Sequence, residues 1–223
     1  MPKKKPTSSR ALAPARNTNL TRLPERFAIA DSEVRPEQAF VIPGHRPMHP
    51  GPWSHEPVDK LAWRDAATNL DCMLLRQSSG VWAGYVAISP GHPLHGFNVD
   101  ALPPSADLSP HGGIDYAQIC SRHGPEELRI CHVHIHSRSG PSVADTFHDD
   151  AWWFGFAADK PGDLVPKGVR PLLAIEEGET YRTMDYMYGE TVNLARRLHD
   201  IGRGRSAGAG GSLGPVSPKL DKS

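Results

Sequence analysis

A chain of 223 residues is the right size for one hydrophobic core. Its 25 Lys plus Arg balance 25 Asp plus Glu, so no net field steers the whole molecule toward nucleic acid or an anionic membrane. No run approaches the ~18 apolar residues that span a bilayer, and the start lacks the apolar run of a signal peptide, so a cytoplasmic location without membrane contact is expected.

The first 35 residues mix Pro, Ser, Arg and Ala without a lasting apolar period, a composition that does not offset the entropy of ordering a chain. Within residues 1–30, Lys3, Lys4, Lys5, Arg10, Arg16, Arg22 and Arg26 stand against Glu25 alone. Residues 1–35 therefore read as a disordered basic arm, with nucleic acid as one conceivable partner. Residues 36–202 are expected to form a single domain, and 203–223, rich in Gly, Ser and Pro, a disordered tail. The 22 prolines are about twice the usual share of ~5%, which predicts long irregular connections. The segment VIPGHRPMHPGPW (41–53) is too proline-dense for a helix or central strand and is expected along the surface. A short helix is predicted next, with Pro57 in its first turn and Val58, Leu61, Ala62 and Ala66 as its buried stripe.

Residues Cys72–Gln77 and Val81–Ile88, separated by Ser78-Ser79-Gly80, predict an antiparallel hairpin with a three-residue loop. A long loop, Ser89–Pro110, follows, and loops of that length are more often functional than decorative. Further strands are expected at Ile114–Cys120, Leu128–Ile135 and Ala151–Ala158. Met184, Met187, Tyr188, Thr191, Leu194, Ala195 and Leu198 keep the spacing of one buried helical face, with Arg196, Arg197 and Asp200 pointing away and Gly202 placed to stop the helix. The fold class that results is α+β, a mostly antiparallel sheet with a long C-terminal helix packed on it and long Pro/Gly-rich loops. Three widely spaced cysteines, Cys72, Cys120 and Cys131, are expected to be reduced thiols in a cytosol.

Five blocks carry a resemblance: WAGYVAISPGHPLHG (82–96), HGGIDY (111–116), RICHV (129–133), DDAWWFGFAADKPGDLVP (149–166) and TYRTMDYMYGETVNLARRL (180–198). In this order they resemble a family of uncharacterised bacteriophage and bacterial proteins, over about Cys72 to Leu198. The resemblance implies a phage- or prophage-type accessory protein and brings no reaction to transfer. The chain departs from the family pattern after WWFGF, where Asp-Cys-x-His is replaced by Ala157, Ala158, Asp159 and Lys160.

Candidate site residues come from the polar blocks. His111 opens HGG, whose glycines allow its imidazole to be aimed into a cleft, and an imidazole suits acid–base work near neutrality. His92 sits in the stiffened turn GHPLHG, and Asp163 in PGD can orient a histidine or simply close a turn. Arg182 can grip phosphate or carboxylate in a fork, while Tyr181 and Trp153 are candidate substrate-binding aromatics. CHVHIH sets His132, His134 and His136 on one strand face, where His132 and His134 could ligate a divalent transition metal such as zinc. No Walker loop, dinucleotide fingerprint, GxSxG elbow or HExxH motif occurs. Two readings remain open: a hydrolase acting on a polar, phosphate-bearing or nucleotide-like small molecule, and a non-catalytic module that binds a small polar ligand or a host protein as a counter-defence factor might.

Overall fold

The computed structural model describes residues 24–121, 124–131, 150–168 and 178–204. Among them lie eight strands, β1 (Phe27–Ile29), β2 (Ser32–Val34), β3 (Pro36–Phe40), β4 (Lys60–Arg64), β5 (Asp71–Arg76), β6 (Trp82–Ile88), β7 (Tyr116–Ile119) and β8 (Trp152–Ala157), and one α-helix, α1 (Met184–Gly202). β1 and β2 form a small hairpin, and the other six make an antiparallel sheet in the order β3-β4-β5-β6-β8-β7. The helix packs across β5 and β6, so the architecture is the expected α+β arrangement.

Alternation along the strands builds a core on each sheet face. Leu61, Trp63, Cys72, Leu74, Trp82, Val86, Phe154 and Phe156 lie in the core that takes in the helix residues Met184, Met187, Leu194, Ala195 and Leu198. Ala62, Met73, Leu75, Ala83, Tyr85, Ala87 and Trp153 form the other, together with Cys120 and Cys131. Because β5 and β6 are buried on both faces, their sequences show a continuous apolar run rather than alternation. The helix comes close to the sheet at Gly84. A Cβ there would lie 2.3 Å from the Thr191 hydroxyl oxygen and 2.8 Å from the Phe156 ring, so only glycine admits this approach.

The hairpin lies where it was expected, closed by Gln77 N–H donating to the Val81 carbonyl at 2.8 Å. The proline-rich 41–53 segment follows the edge strand β3, whose own Pro36 stands beside a register shift, as a residue without an N–H requires. Helix α1 is capped by Thr183, whose side chain accepts from Tyr186 N–H, and Asp185 in its first turn accepts from Ala30 N–H at 2.9 Å.

Three expectations are corrected. The stripe Val58, Leu61, Ala62 does not make a helix, because Lys60–Arg64 is an interior strand paired with β3 and β5. The i, i+3, i+4 spacing arose because both faces of this strand are buried, and Ala66 falls in the turn where Asp65 accepts hydrogen bonds from Thr68. The β1–β2 hairpin places ordered backbone inside the stretch read as a disordered arm; only residues 1–23 of that arm, and 205–223 of the tail, lie outside the described residues. Leu128 ends a single 3-10 turn, Glu126–Leu128, rather than opening a strand, and the rest of the expected strand from His132 onward lies outside the described residues.

Cys120 and Cys131 are joined in a disulfide with Cα atoms 4.8 Å apart, while Cys72 is a buried free thiol. This replaces the expectation of three reduced thiols. The end of β7 and the 124–131 segment converge over the second core, a proximity invisible in linear spacing.

Lys60 is fully buried beneath that segment, its Nζ donating to the Glu126 and Arg129 carbonyls at 2.8 and 2.9 Å. Burial lowers its pKa from 10.5 to about 8, opposed by Glu126 and Glu127. The unfolded chain holds this proton up to about pH 10.5, whereas the folded protein releases it near pH 8, so raising the pH through that window stabilises the fold. Thermal midpoints are expected to carry an upward contribution between pH 8 and 10 that is absent in Lys60→Met. A wild-type-like pH dependence in the variant would count against it.

Candidate functional site

One cluster of buried charges, Glu56, Asp59 and Arg76, lies beside the start of α1. Arg76 is wholly buried, its Nε donating to Asp59 Oδ1 at 2.8 Å, its Nη2 paired with Glu56 and its guanidinium 4.4 Å from the Trp82 ring centre. Glu56 Oε2 also accepts from Trp82 Nε1 at 3.0 Å and from the Tyr181 hydroxyl at 2.8 Å, while its Oε1 accepts Met184 N–H at 2.7 Å. Asp59 takes further bonds from Arg46 and from Ile42 N–H. This network fixes the strand ends, the hairpin loop and the first turn of the helix to one another.

Two candidate substrate-binding aromatics are thereby corrected. Tyr181 is buried, and its hydroxyl both donates to Glu56 and accepts from Arg76 Nη1 at 2.8 Å. Burial and the Glu56 carboxylate push its pKa upward. Its role is to bridge Arg76 and Glu56 by hydrogen bonds within the ion-paired network, as a neutral hydroxyl. Trp153 is fully buried in the second core; its neighbour Trp152 is the half-exposed member of the pair, donating from Nε1 to the Phe97 carbonyl at 3.1 Å.

The other polar cluster gathers His111, Asp163 and Arg182 from three separate segments. His111 Nε2 donates to Asp163 Oδ2 at 2.5 Å, and Arg182 Nε donates to Asp163 Oδ1 at 2.7 Å. Lys160 N–H adds a third bond to the same carboxylate at 3.0 Å. Burial disfavours the ionised carboxyl, but the bonds from Arg182, His111 and Lys160 outweigh it and hold Asp163 below the usual carboxylate range.

The second ring nitrogen of His111, Nδ1, faces the Tyr186 hydroxyl at 2.8 Å. With an ionised carboxylate at Nε2, the neutral imidazole carries its proton on Nε2, so Nδ1 accepts from the Tyr186 O–H. One helical turn on, Glu190 Oε2 accepts His111 N–H at 2.7 Å. Tyr186 and Glu190 stand four residues apart on α1, so one face of the helix grips both the ring and the backbone of His111. The same face carries Arg197, which pairs with Asp107 at 2.8 Å and ties down the long loop.

Sequence permits this because of HGG. His111 itself has φ +22° and ψ +68°, a conformation a side chain rarely adopts and which costs on the order of 1–3 kcal/mol. Gly112, at φ +81°, lies against the Lys160 side chain so tightly that a Cβ would sit 2.9 Å from Lys160 Cγ. Lys160 Nζ in turn donates to Asp115 at 2.6 Å and lies near Asp159; both carboxylates outweigh burial and keep the ammonium charged.

The long loop also forms a half-open depression of about 290 Å³ lined by Val99, Leu102, Leu108 and Ile114, with Asp107 and Ser109 as polar members; none of the cluster residues His111, Asp163, Arg182 and Tyr186 lines it. Arg182 stacks on Tyr186, its guanidinium carbon 5.0 Å from the ring centre, and its two terminal nitrogens make no hydrogen bond with the described residues.

His92 is not part of this cluster. Its Nε2 donates to the Leu198 carbonyl at 2.7 Å and its Nδ1 accepts Leu94 N–H at 3.1 Å, so it clips the loop to the far end of α1. Burial keeps it less basic than a free histidine, with the Leu198 bond opposing and His95 adding to the effect. Leu198 is twelve residues beyond Tyr186, about 18 Å along the helix axis at a rise of 1.5 Å per residue.

The candidate metal ligands His132 and His134 lie outside the described residues, and among the described residues no group of three His, Cys, Asp or Glu is arranged to hold a metal ion. No helix among the described residues is long and apolar enough to cross a membrane.

Sequence reasoning missed Tyr186 and Glu190. A signal was present: Tyr186, Glu190 and Arg197 recur at helical spacing along the flank of the buried stripe of Met184, Met187 and Leu194, with Arg182 just before the helix, a polar edge that reads as solvent-facing until a loop covers it. Comparison with protein-family models, with curated proteins and with solved structures finds no match.

Proposed function

We propose that the protein is a phage- or prophage-type accessory hydrolase that acts on a polar, phosphate-bearing or nucleotide-like small molecule through the His111–Asp163 pair. The observation that carries this reading is the imidazole held between an almost fully buried carboxylate and the hydroxyl of a partly exposed tyrosine, on backbone strained at His111. A carboxylate bonded to one ring nitrogen fixes the tautomer and favours the imidazolium that forms when the other takes a proton, as general-base catalysis requires. Arg182 supplies a guanidinium fork matched to phosphate oxygens. Lys160, standing where the resembling family has histidine, abuts this cluster through Gly112 and Asp163, so the departure falls at the site itself.

The test is turnover of nitrophenyl phosphate mono- and diesters and of nucleotides by the full chain. Wild-type turnover that falls about 10²–10⁴-fold in His111→Gln is the expected result. Binding of the same compounds without turnover would replace this reading by the non-catalytic ligand- or host-protein-binding module, which the occupied ring nitrogens of His111 also suit.

A further inference from the structure

Resting on the hydrolase reading, we infer that Tyr186 is the nucleophile of this site and that phosphate esters are its substrate class, with Asp163–His111–Tyr186 acting as a relay. Exposure is graded along the three side chains: Asp163 is 1% exposed, His111 9%, and Tyr186 as a whole residue 37%. Tyr186 is the most exposed of the three and the member a substrate meets first. His111 does not meet solvent through a free nitrogen, since Nε2 is held by Asp163 and Nδ1 by Tyr186. Whatever proton the imidazole takes at Nδ1 therefore comes from Tyr186.

This is the arrangement of an activated hydroxyl: nucleophile and base within hydrogen-bond reach, and the base oriented by a third group. Glu190 adds precision, because its bond to His111 N–H holds the strained backbone from the same helix that carries Tyr186. Burial and the Glu190 carboxylate raise the Tyr186 pKa against the pull of Arg182, so the phenol rests protonated and requires a base. Arg182 lies over the Tyr186 ring with its terminal nitrogens uncommitted among the described residues, placed to hold anionic oxygens beside the phenol.

In the step that follows, Tyr186 Oη attacks phosphorus as its proton passes to His111 Nδ1. The bond from phosphorus to the leaving oxygen breaks, and the imidazolium returns the proton to that oxygen. Water then attacks the phosphotyrosine, giving a proton to His111; the phosphorus–Oη bond breaks, phosphate or a phosphate monoester leaves, and the proton returns to Oη.

The probe is diisopropyl fluorophosphate, which forms a phosphorus–oxygen bond with an activated hydroxyl and releases fluoride. Peptide mapping of the full chain is expected to place the adduct on Tyr186, with labelling slowed about 100-fold or more in His111→Gln and abolished at this site in Tyr186→Phe. Equal labelling of wild type and His111→Gln, or an adduct spread over the other tyrosines, would overturn the inference. A wild-type enzyme that turns over phosphate esters while Tyr186→Phe keeps its full kcat would overturn it too, leaving the His111–Asp163 hydrolase standing. Absence of wild-type turnover removes both.

Discussion

Glu56→Ala is expected to lower the folding free energy by about 3–5 kcal/mol, the range for leaving one member of a buried ion pair uncompensated. Arg76 is wholly buried, and it would keep Asp59 but lose the carboxylate that faces its Nη2. The same substitution strips partners from Trp82 Nε1 and the Tyr181 hydroxyl and frees Met184 N–H, so four donors lose an acceptor together. The damage is not confined to stability. Met184 is the first residue of α1, and Arg182 and Tyr186 lie within one turn of it, so loosening this end displaces the candidate site. Urea unfolding measures the loss. Glu56→Gln, which retains an acceptor for Met184 N–H, is expected to fall between wild type and Ala; equal midpoints for all three proteins would show that the network contributes nothing.

Asp163→Asn is expected to leave the chain folded and to depress turnover of phosphate esters by about 10⁴-fold, the magnitude that follows when a triad histidine is forced into the wrong tautomer. The wild-type carboxylate accepts three bonds, from Arg182, His111 and Lys160 N–H. Asn has only one acceptor oxygen, and the Arg182 guanidinium, which bonds Oδ1 and does not give up its proton, claims it, so the amide nitrogen takes the place of Oδ2 and faces both Lys160 N–H and His111 Nε2. Its amide then donates to His111 Nε2, moving the ring proton to Nδ1, where it confronts Tyr186. Nitrogen-15 shifts of the His111 ring report that change without reference to any substrate. A ring still protonated at Nε2 would contradict the mechanism even if activity fell. The wild-type carboxylate also adds stability that is present above its unfolded pKa of about 3.9 and lost as pH falls through its lower folded value; Asp163→Asn lacks this contribution.

The sequence was most legible where one physical signal decided the outcome. The 72–88 hairpin followed from a glycine-containing loop between apolar runs, and α1 from a buried stripe sustained from Met184 to Leu198. The reading failed at Lys60–Arg64, where a strand buried on both faces shows no period of two and an internal lysine mimics the polar side of a helix. Of the site, His111, Asp163 and Arg182 are legible from residue chemistry and do converge; His92, Tyr181 and Trp153, chosen on the same grounds, serve packing or buried hydrogen bonding instead. Residue type limits what a side chain can do, and that much is local.

What the sequence by itself determined, then, is an α+β fold with a packed C-terminal helix and a set of histidine, aspartate and arginine residues fit for acid–base and anion chemistry. Which of them act together was decided by tertiary structure alone. His111 and Asp163 are separated by 52 positions and His111 and Tyr186 by 75, and they meet only because the 99–114 loop folds over one face of α1. Partners brought together across such separations leave no periodic trace, since the periods of helix and strand describe neighbours along the chain and not contacts between elements.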